Sequence, residues 1–280
     1  MTLKFVKRNV YFLSILGFLT LTSCDSNETS DLLNADLTTE ESLNVVLEDD
    51  ISSNLESVIE DDAAIGEIAA KGEASISNHP ECILRTVEET AEGKTVTIDF
   101  GDGCTGKRGH VFVGKIIIEY VKVEGAYSKT VTFENFSIDE NSVVGTISVS
   151  RVRENASGNP ERTYSIDLTI TLATGEVIIK KGEKIKEMIE GAGTVERGDD
   201  VFLISGFWES VNKLGKEAKV TITTSLRREY VCRYIVSGVV EITRGEHKHT
   251  IDFGDGSCDN VATVTDTEGN VREITLKDRR

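Results

Sequence analysis

Basic side chains are scarce in this sequence: 31 Lys plus Arg stand against 48 Asp plus Glu in 280 residues, for a formal net charge of −17. Affinity for phosphate backbones rests on clustered Lys and Arg, so nucleic acid is not an expected partner. Aromatic side chains are also few, with 10 Phe, 6 Tyr and 1 Trp. Phe5, Tyr11, Phe12 and Phe18 lie in the N-terminal segment, and the remainder is too thin for a sugar-stacking platform. No Gly-x-Ser-x-Gly, His-Glu-x-x-His or P-loop occurs, and no Cys-x-x-Cys. The usual frames for a nucleophilic serine, a catalytic zinc, a bound nucleotide or a thiolate metal site are therefore missing. Asp and Glu are abundant, but nothing marks a glycosidase-type pair. An enzyme is not expected. What remains is globular in composition, 39% apolar and 28% charged, and long enough for one large or two medium domains.

Long apolar runs are limited to one. Val10 to Leu21 follows a basic stretch of Lys4, Lys7 and Arg8; it is short for a membrane span and has the size of a signal-peptide core. It ends in Leu21-Thr22-Ser23-Cys24, which resembles the bacterial lipobox: an aliphatic residue and two small ones before a lipidated cysteine. The resemblance implies cleavage before Cys24, diacylglycerol on its sulfur and an acyl group on the new amino terminus. Each buried methylene adds about 0.8 kcal/mol, so several chains anchor durably. The expected partner at this end is a membrane, held through Cys24, on a protein exported to the bacterial cell envelope.

Residues 1–23 thus read as a signal peptide and 24–37 as an acidic linker. Over 25–70 there are 14 Asp plus Glu and no Lys or Arg, so most of the net charge lies there. From Thr38 the pattern changes. Leu43, Val46, Leu47, Ile51, Leu55, Val58 and Ile59 recur at three- and four-residue spacing, which predicts an amphipathic helix over 38–72. Thr38 and Glu41 have capping-box spacing, and Gly66 and Gly72 mark its end. Its acidic face is expected to be solvated.

Over 73–280 the period becomes two. Thr, Val and Ile dominate segments 95–100, 111–121, 129–138, 142–152, 163–172, 176–188, 219–226 and 236–243, with Gly, Asn and Asp in the gaps. Asp139-Glu140-Asn141 and Ala173-Thr174-Gly175 read as hairpin tips. Long strands and short turns predict an all-β antiparallel meander after the helix; open sheet, sandwich and half-barrel all fit. One motif occurs twice: IDFGDGC over 98–104 returns as IDFGDGSC over 251–258, with Cys82 and Cys232 upstream of the two copies. The copies are expected at the two ends of the β domain. Apart from Cys24 there are four cysteines, an even number suited to an oxidising compartment. Three pairings exist; the echo favours Cys82–Cys104 and Cys232–Cys258, each adding about 3 kcal/mol by loop closure.

Candidate sites are few. The Gly-Asp-Gly steps suit tight turns. No cofactor is expected; calcium is the one ion for which the sequence offers oxygen ligands, at Asp252, Asp255 and Asp259, with Asn260 nearby. The first copy lacks a third carboxylate, so a structural turn is the main expectation. His247 and His249 share one strand face and are expected on the surface. His110 sits in a Gly-rich turn and His79 before Pro80. Trp208 in ISGFWES is expected to be a packed side chain.

The order lipobox, acidic helix, Cys82, IDFGDGC with Gly114-Lys115-Ile116, many strands, then Cys232-Arg233-Tyr234-Ile235-Val236-Ser237-Gly238 and IDFGDGSCDN resembles a family of Bacteroidota lipoproteins to which no activity is attached. The resemblance implies lipidation and a β fold, and no substrate; the expected place is the outer membrane, with its periplasmic and surface faces both open. The expected function is a non-enzymatic interaction or structural module that binds an envelope protein or surface polymer. The alternative is a carrier holding an apolar ligand in a half-barrel.

Overall fold

The computed structural model describes residues 49, 51–60, 82–106, 109–123, 126–194, 196–212 and 215–276. The signal peptide, Cys24, the linker, most of the 38–72 segment, its capping box and glycines, and His79 lie outside them.

Within the described residues the period-two segments become strands, and the hairpin rule accounts for their order. The strands are β1 (Leu84–Glu89), β2 (Gly93–Asp99), β3 (Cys104–Thr105), β4 (Val111–Val123), β5 (Ala126–Ile138), β6 (Asn141–Val152), β7 (Glu161–Thr171), β8 (Val177–Glu190), β9 (Val201–Asn212), β10 (Glu217–Glu229), β11 (Ile235–Arg244), β12 (His247–Asp255), β13 (Val261–Thr265) and β14 (Val271–Thr275). They form one 14-stranded sheet in the order β1-β2-β4-β5-β6-β7-β8-β9-β10-β11-β12-β13-β14, with β3 paired to β4. Every pairing is antiparallel. The architecture is an all-β open meander. Both expected hairpin tips are turns: Asp139 and Glu140 take φ of 47° and 66°, and Gly175 N–H donates to the Leu172 carbonyl at 2.7 Å.

Alternation assigns two faces. On β6 and β7, Val143, Ile147, Val149, Tyr164, Ile166, Leu168 and Ile170 are buried, while Ser148, Ser150, Ser165 and Asp167 are exposed. The inward residues of β2 and β4 to β8 form one apolar cluster, and those of β9 to β14 form a second. Residues 51–60 are helical and make up α1, which contributes Ile51, Leu55 and Ile59 to the first cluster. Their four-residue spacing puts all three on one side of the helix. Burying each contributes about 1.5–3 kcal/mol.

The sequence echo is also an echo in structure. Ile98 and Phe100, and Ile251 and Phe253, point into the two clusters. Asp99 Oδ1 accepts the Gly101 N–H at 2.9 Å, and Asp252 Oδ1 accepts the Gly254 N–H at 2.9 Å. The glycines adopt positive φ, 58° at Gly101 and 97° at Gly254, where a side chain would be strained. Each copy ends the second strand of a hairpin, β1–β2 or β11–β12. Cys82 is bonded to Cys104 and Cys232 to Cys258. Each bond closes the open end of its hairpin, and the two hairpins lie towards opposite edges of the sheet.

Candidate functional site

The concentration of buried charge in the described residues is where α1 meets the sheet. The sequence of β8 builds half of it. In a strand, side chains at every second residue share a face, so Ile178, Lys180, Gly182, Lys184 and Lys186 all point towards the helix. In register, Lys180 faces Leu168 of β7 and Ser210 of β9, Gly182 faces Ile166 and Trp208, Lys184 faces Tyr164 and Gly206, and Lys186 faces Arg162 and Ile204. Gly182 makes room for the indole beside it: a Cβ there would fall 2.2 Å from the Phe207 carbonyl oxygen and 2.5 Å from the Trp208 Cβ.

Lys180 and Lys184 are 0% and 1% exposed. An ammonium taken out of water costs several kcal/mol unless it is paired and hydrogen-bonded. The helix supplies the pairing. Asp49 Oδ1 accepts from Lys180 at 3.2 Å and from Lys184 at 3.1 Å, and Lys184 also donates to Glu56 at 3.1 Å. A turn along the helix, both oxygens of Glu60 accept from Lys186, at 3.0 and 3.1 Å. Glu60 also accepts from the Tyr164 hydroxyl and lies 3.6 Å from Arg162. Asp49, Glu56 and Glu60 differ by seven and four residues, which places them along one side of a helix. From β5, Lys129 donates to the Ile59 carbonyl at 3.1 Å. The Lys180 ammonium also sits 4.1 Å from the centre of the Trp208 ring, and that of Lys186 lies 4.3 Å from the Phe202 ring centre; both are cation–π contacts.

The electrostatics follow from this geometry. Burial pushes the Glu60 carboxyl up, but the charges of Lys186 and Arg162 and the hydrogen bonds from Tyr164 and Lys186 outweigh it and bring the pKa down to about 2. Burial pulls the Lys184 ammonium down; the charges of Asp49 and Glu56 and the hydrogen bonds to them raise it overall. Burial, and then the charges of Glu60 and Glu56, hold the Tyr164 phenol well above its ordinary value. The three shifts keep Glu60 ionised, Lys184 protonated and Tyr164 neutral through the neutral range. These groups neutralise one another, so the arrangement is a clamp that seats α1 on the sheet.

The acidic face of the helix is thereby corrected. Asp49 and Glu56 are buried, and Glu60 is largely covered, because the sheet offers them cations that water would otherwise replace. Arg162, Tyr164, Lys180, Lys184 and Lys186 belong to no motif that marks them as site residues in the sequence. Their signal was present in the segment EVIIKKGEKIKEM: three lysines in phase with Ile178 on one strand face.

The other candidates are placed as follows. Asp252, Asp255 and Asp259 do not converge. Each accepts from a neighbouring backbone amide, of Gly254, Ser257 and Val261 respectively, at 2.9, 3.2 and 3.0 Å. Among the described residues no group of three or more His, Cys, Asp or Glu side chains is placed to hold a metal ion. His249 is buried at 2% exposure, contrary to the expected surface position. It takes the place of Val96 in the first copy and so inherits an inward strand position beside Ile251. His110 Nδ1 lies 2.6 Å from Asp139 Oδ2, pinning the β5–β6 hairpin tip, whose Asp139 Oδ1 also accepts the Val111 N–H at 2.9 Å. Trp208 is packed, as expected. No described helix is long and apolar enough to cross a membrane. Comparison with protein-family models, curated proteins and solved structures finds no match to this chain.

Proposed function

We propose that this is a lipid-anchored protein of the bacterial cell envelope, held at the outer membrane through Cys24, whose β sheet is a non-enzymatic interaction or structural module. The observation that carries this reading is the seating of α1. The inward face of β5 to β8 is the surface a half-barrel carrier would offer to an apolar ligand, and the chain's own helix occupies it, with Ile51, Leu55 and Ile59 in the core and its acids on Lys180, Lys184 and Lys186. A carrier would first have to displace three apolar side chains and a buried ion cluster. That leaves the opposite sheet face, the loops and the edges as the surfaces for contact.

Two further observations support the setting. Disulfides persist in oxidising compartments and are rare in the cytosol, and two are present. Asp49 lies 25 residues after Cys24, so a tether from Cys24 would pull on the sheet through α1. The resemblance to Bacteroidota lipoproteins agrees with both, and the partner is an envelope protein or surface polymer. Palmitate labelling of the wild type and of Cys24→Ala tests the anchor, with label expected only in the wild type; equal label in both would refute it. Crosslinking on intact cells tests the module, with discrete envelope partners expected. Native mass spectrometry showing stoichiometric bound lipid would instead establish the carrier.

A further inference from the structure

We propose that the sheet face that seats α1 also accepts α1 of a second copy, so that neighbouring chains exchange helices. The division of charge is the first argument. In the described ion cluster every acid lies on the helical segment, Asp49, Glu56 and Glu60, and every base on the sheet, Arg162, Lys180, Lys184 and Lys186. The two halves recognise each other as two molecules would, and no contact requires that they belong to one chain. A second copy is the partner that presents the same apolar stripe and the same carboxylates by construction.

Chain length is the second argument. Residues 61–81 separate Glu60 from Cys82, which its disulfide ties to Cys104 beside β4. A connection of that length reaches at most about 75 Å. Docking in cis means crossing from β7 to β1 through β6, β5, β4 and β2, five strand spacings of about 4.8 Å, or about 24 Å. The connection is therefore about three times as long as the cis arrangement needs and is able to reach a neighbour's sheet. Since the contacts are the same either way, the balance is set by concentration. A tethered helix presents itself at about millimolar effective concentration, less as the tether lengthens, so exchange grows as chains crowd together.

The test mixes ¹⁴N- and ¹⁵N-labelled full-length chains in detergent, from micromolar to millimolar concentration. After equilibration a carbodiimide joins the Glu60 carboxylate to the Lys186 ammonium, the most accessible of the cluster's carboxylate–lysine pairs. Mass spectrometry then reads whether the two joined peptides carry the same label or different ones. The mixed-label share is expected to rise from near zero towards one half, the value for random exchange. Chains carrying Glu60→Lys mixed with chains carrying Lys186→Glu disfavour the cis pair and restore both pairs in trans. In that mixture heterodimers are expected at lower concentration, by light scattering, than in either variant alone. The proposal is overturned if every Glu60–Lys186 crosslink is same-label at all concentrations, if the crosslink does not form at all, or if the mixed variants stay monomeric.

Discussion

Removing the Lys184 ammonium is the sharpest perturbation of the helix clamp. Lys184→Met keeps the length of the side chain and deletes its charge. Asp49 retains Lys180 at 3.2 Å, but Glu56 loses the ammonium at 3.1 Å. Two responses compete. Keeping α1 seated over a stranded buried carboxylate costs about 3–5 kcal/mol. Releasing α1 exposes Ile51, Leu55 and Ile59, at about 1.5–3 kcal/mol each, or about 5–9 kcal/mol in all. The first is smaller, so the helix stays seated and the loss is about 4 kcal/mol. The assay is urea unfolding followed by fluorescence of Trp208, the single tryptophan, which lies in the clamp under Lys180. With a slope of about 2.5 kcal/mol per molar, the midpoint falls by about 1.5 M. Adding Glu56→Leu removes that carboxylate, and the double variant should recover most of the stability, since an apolar pair often replaces a buried ion pair without loss. A fall below about 1 kcal/mol for Lys184→Met, or a double variant no more stable than the single one, would refute the reasoning.

Stability should be level across neutral pH. Glu60 has a folded pKa of about 2 against an ordinary 4.5, so its contribution of about 3 kcal/mol is present above pH 4.5 and lost as the pH falls towards 2; Glu60→Gln should flatten that acid limb of a pH-dependent melting series. Lys184 and Tyr164 are both raised from 10.5 and 10.0, so their stabilisation is present below those values and declines above about pH 10. Replacing Cys82 and Cys104 with serine, or Cys232 and Cys258, should each cost about 3 kcal/mol for loops of 22 and 26 residues, with hydrogen exchange rising mainly in the hairpin concerned; equal loosening of the whole sheet would count against local closure. Gly182→Ala should cost about 1–3 kcal/mol and shift the Trp208 emission, because its Cβ would fall 2.4 Å from the Trp208 Cα; an unchanged spectrum and midpoint would contradict the close approach.

Much of the fold was legible because the outward residues of β5 to β7 are largely polar and the inward ones largely apolar, so period two stood out. The turns were legible where Gly or Asp supplied a positive φ, and the disulfides because the IDFGDG echo repeated the spacing of its cysteines. β9 was less legible. Phe202, Ile204 and Trp208 face inward, but Leu203, Phe207 and Val211 line the other face, so alternation was blurred. The clamp was least legible, for a physical reason: a charged side chain is read as solvated until its partner is known. The partners of Asp49, Glu56 and Glu60 lie more than 100 residues away. Lys180 and Lys184 share a strand face with Ile178, and nothing local says which face of β8 α1 covers. His249 was missed likewise, as a polar residue in a slot that Val96 fills in the first copy.

The claim on which the functional reading stands is that the sheet face of β5 to β8 is filled by α1. Hydrogen exchange of the backbone amides of residues 51–60 in the full-length protein tests it most directly. The account predicts protection comparable to that of β8 in the wild type, reduced when Asp49, Glu56 and Glu60 are replaced together by serine. Exchange of those amides in the wild type at the rate of an unstructured peptide, with the strands still protected, would contradict it.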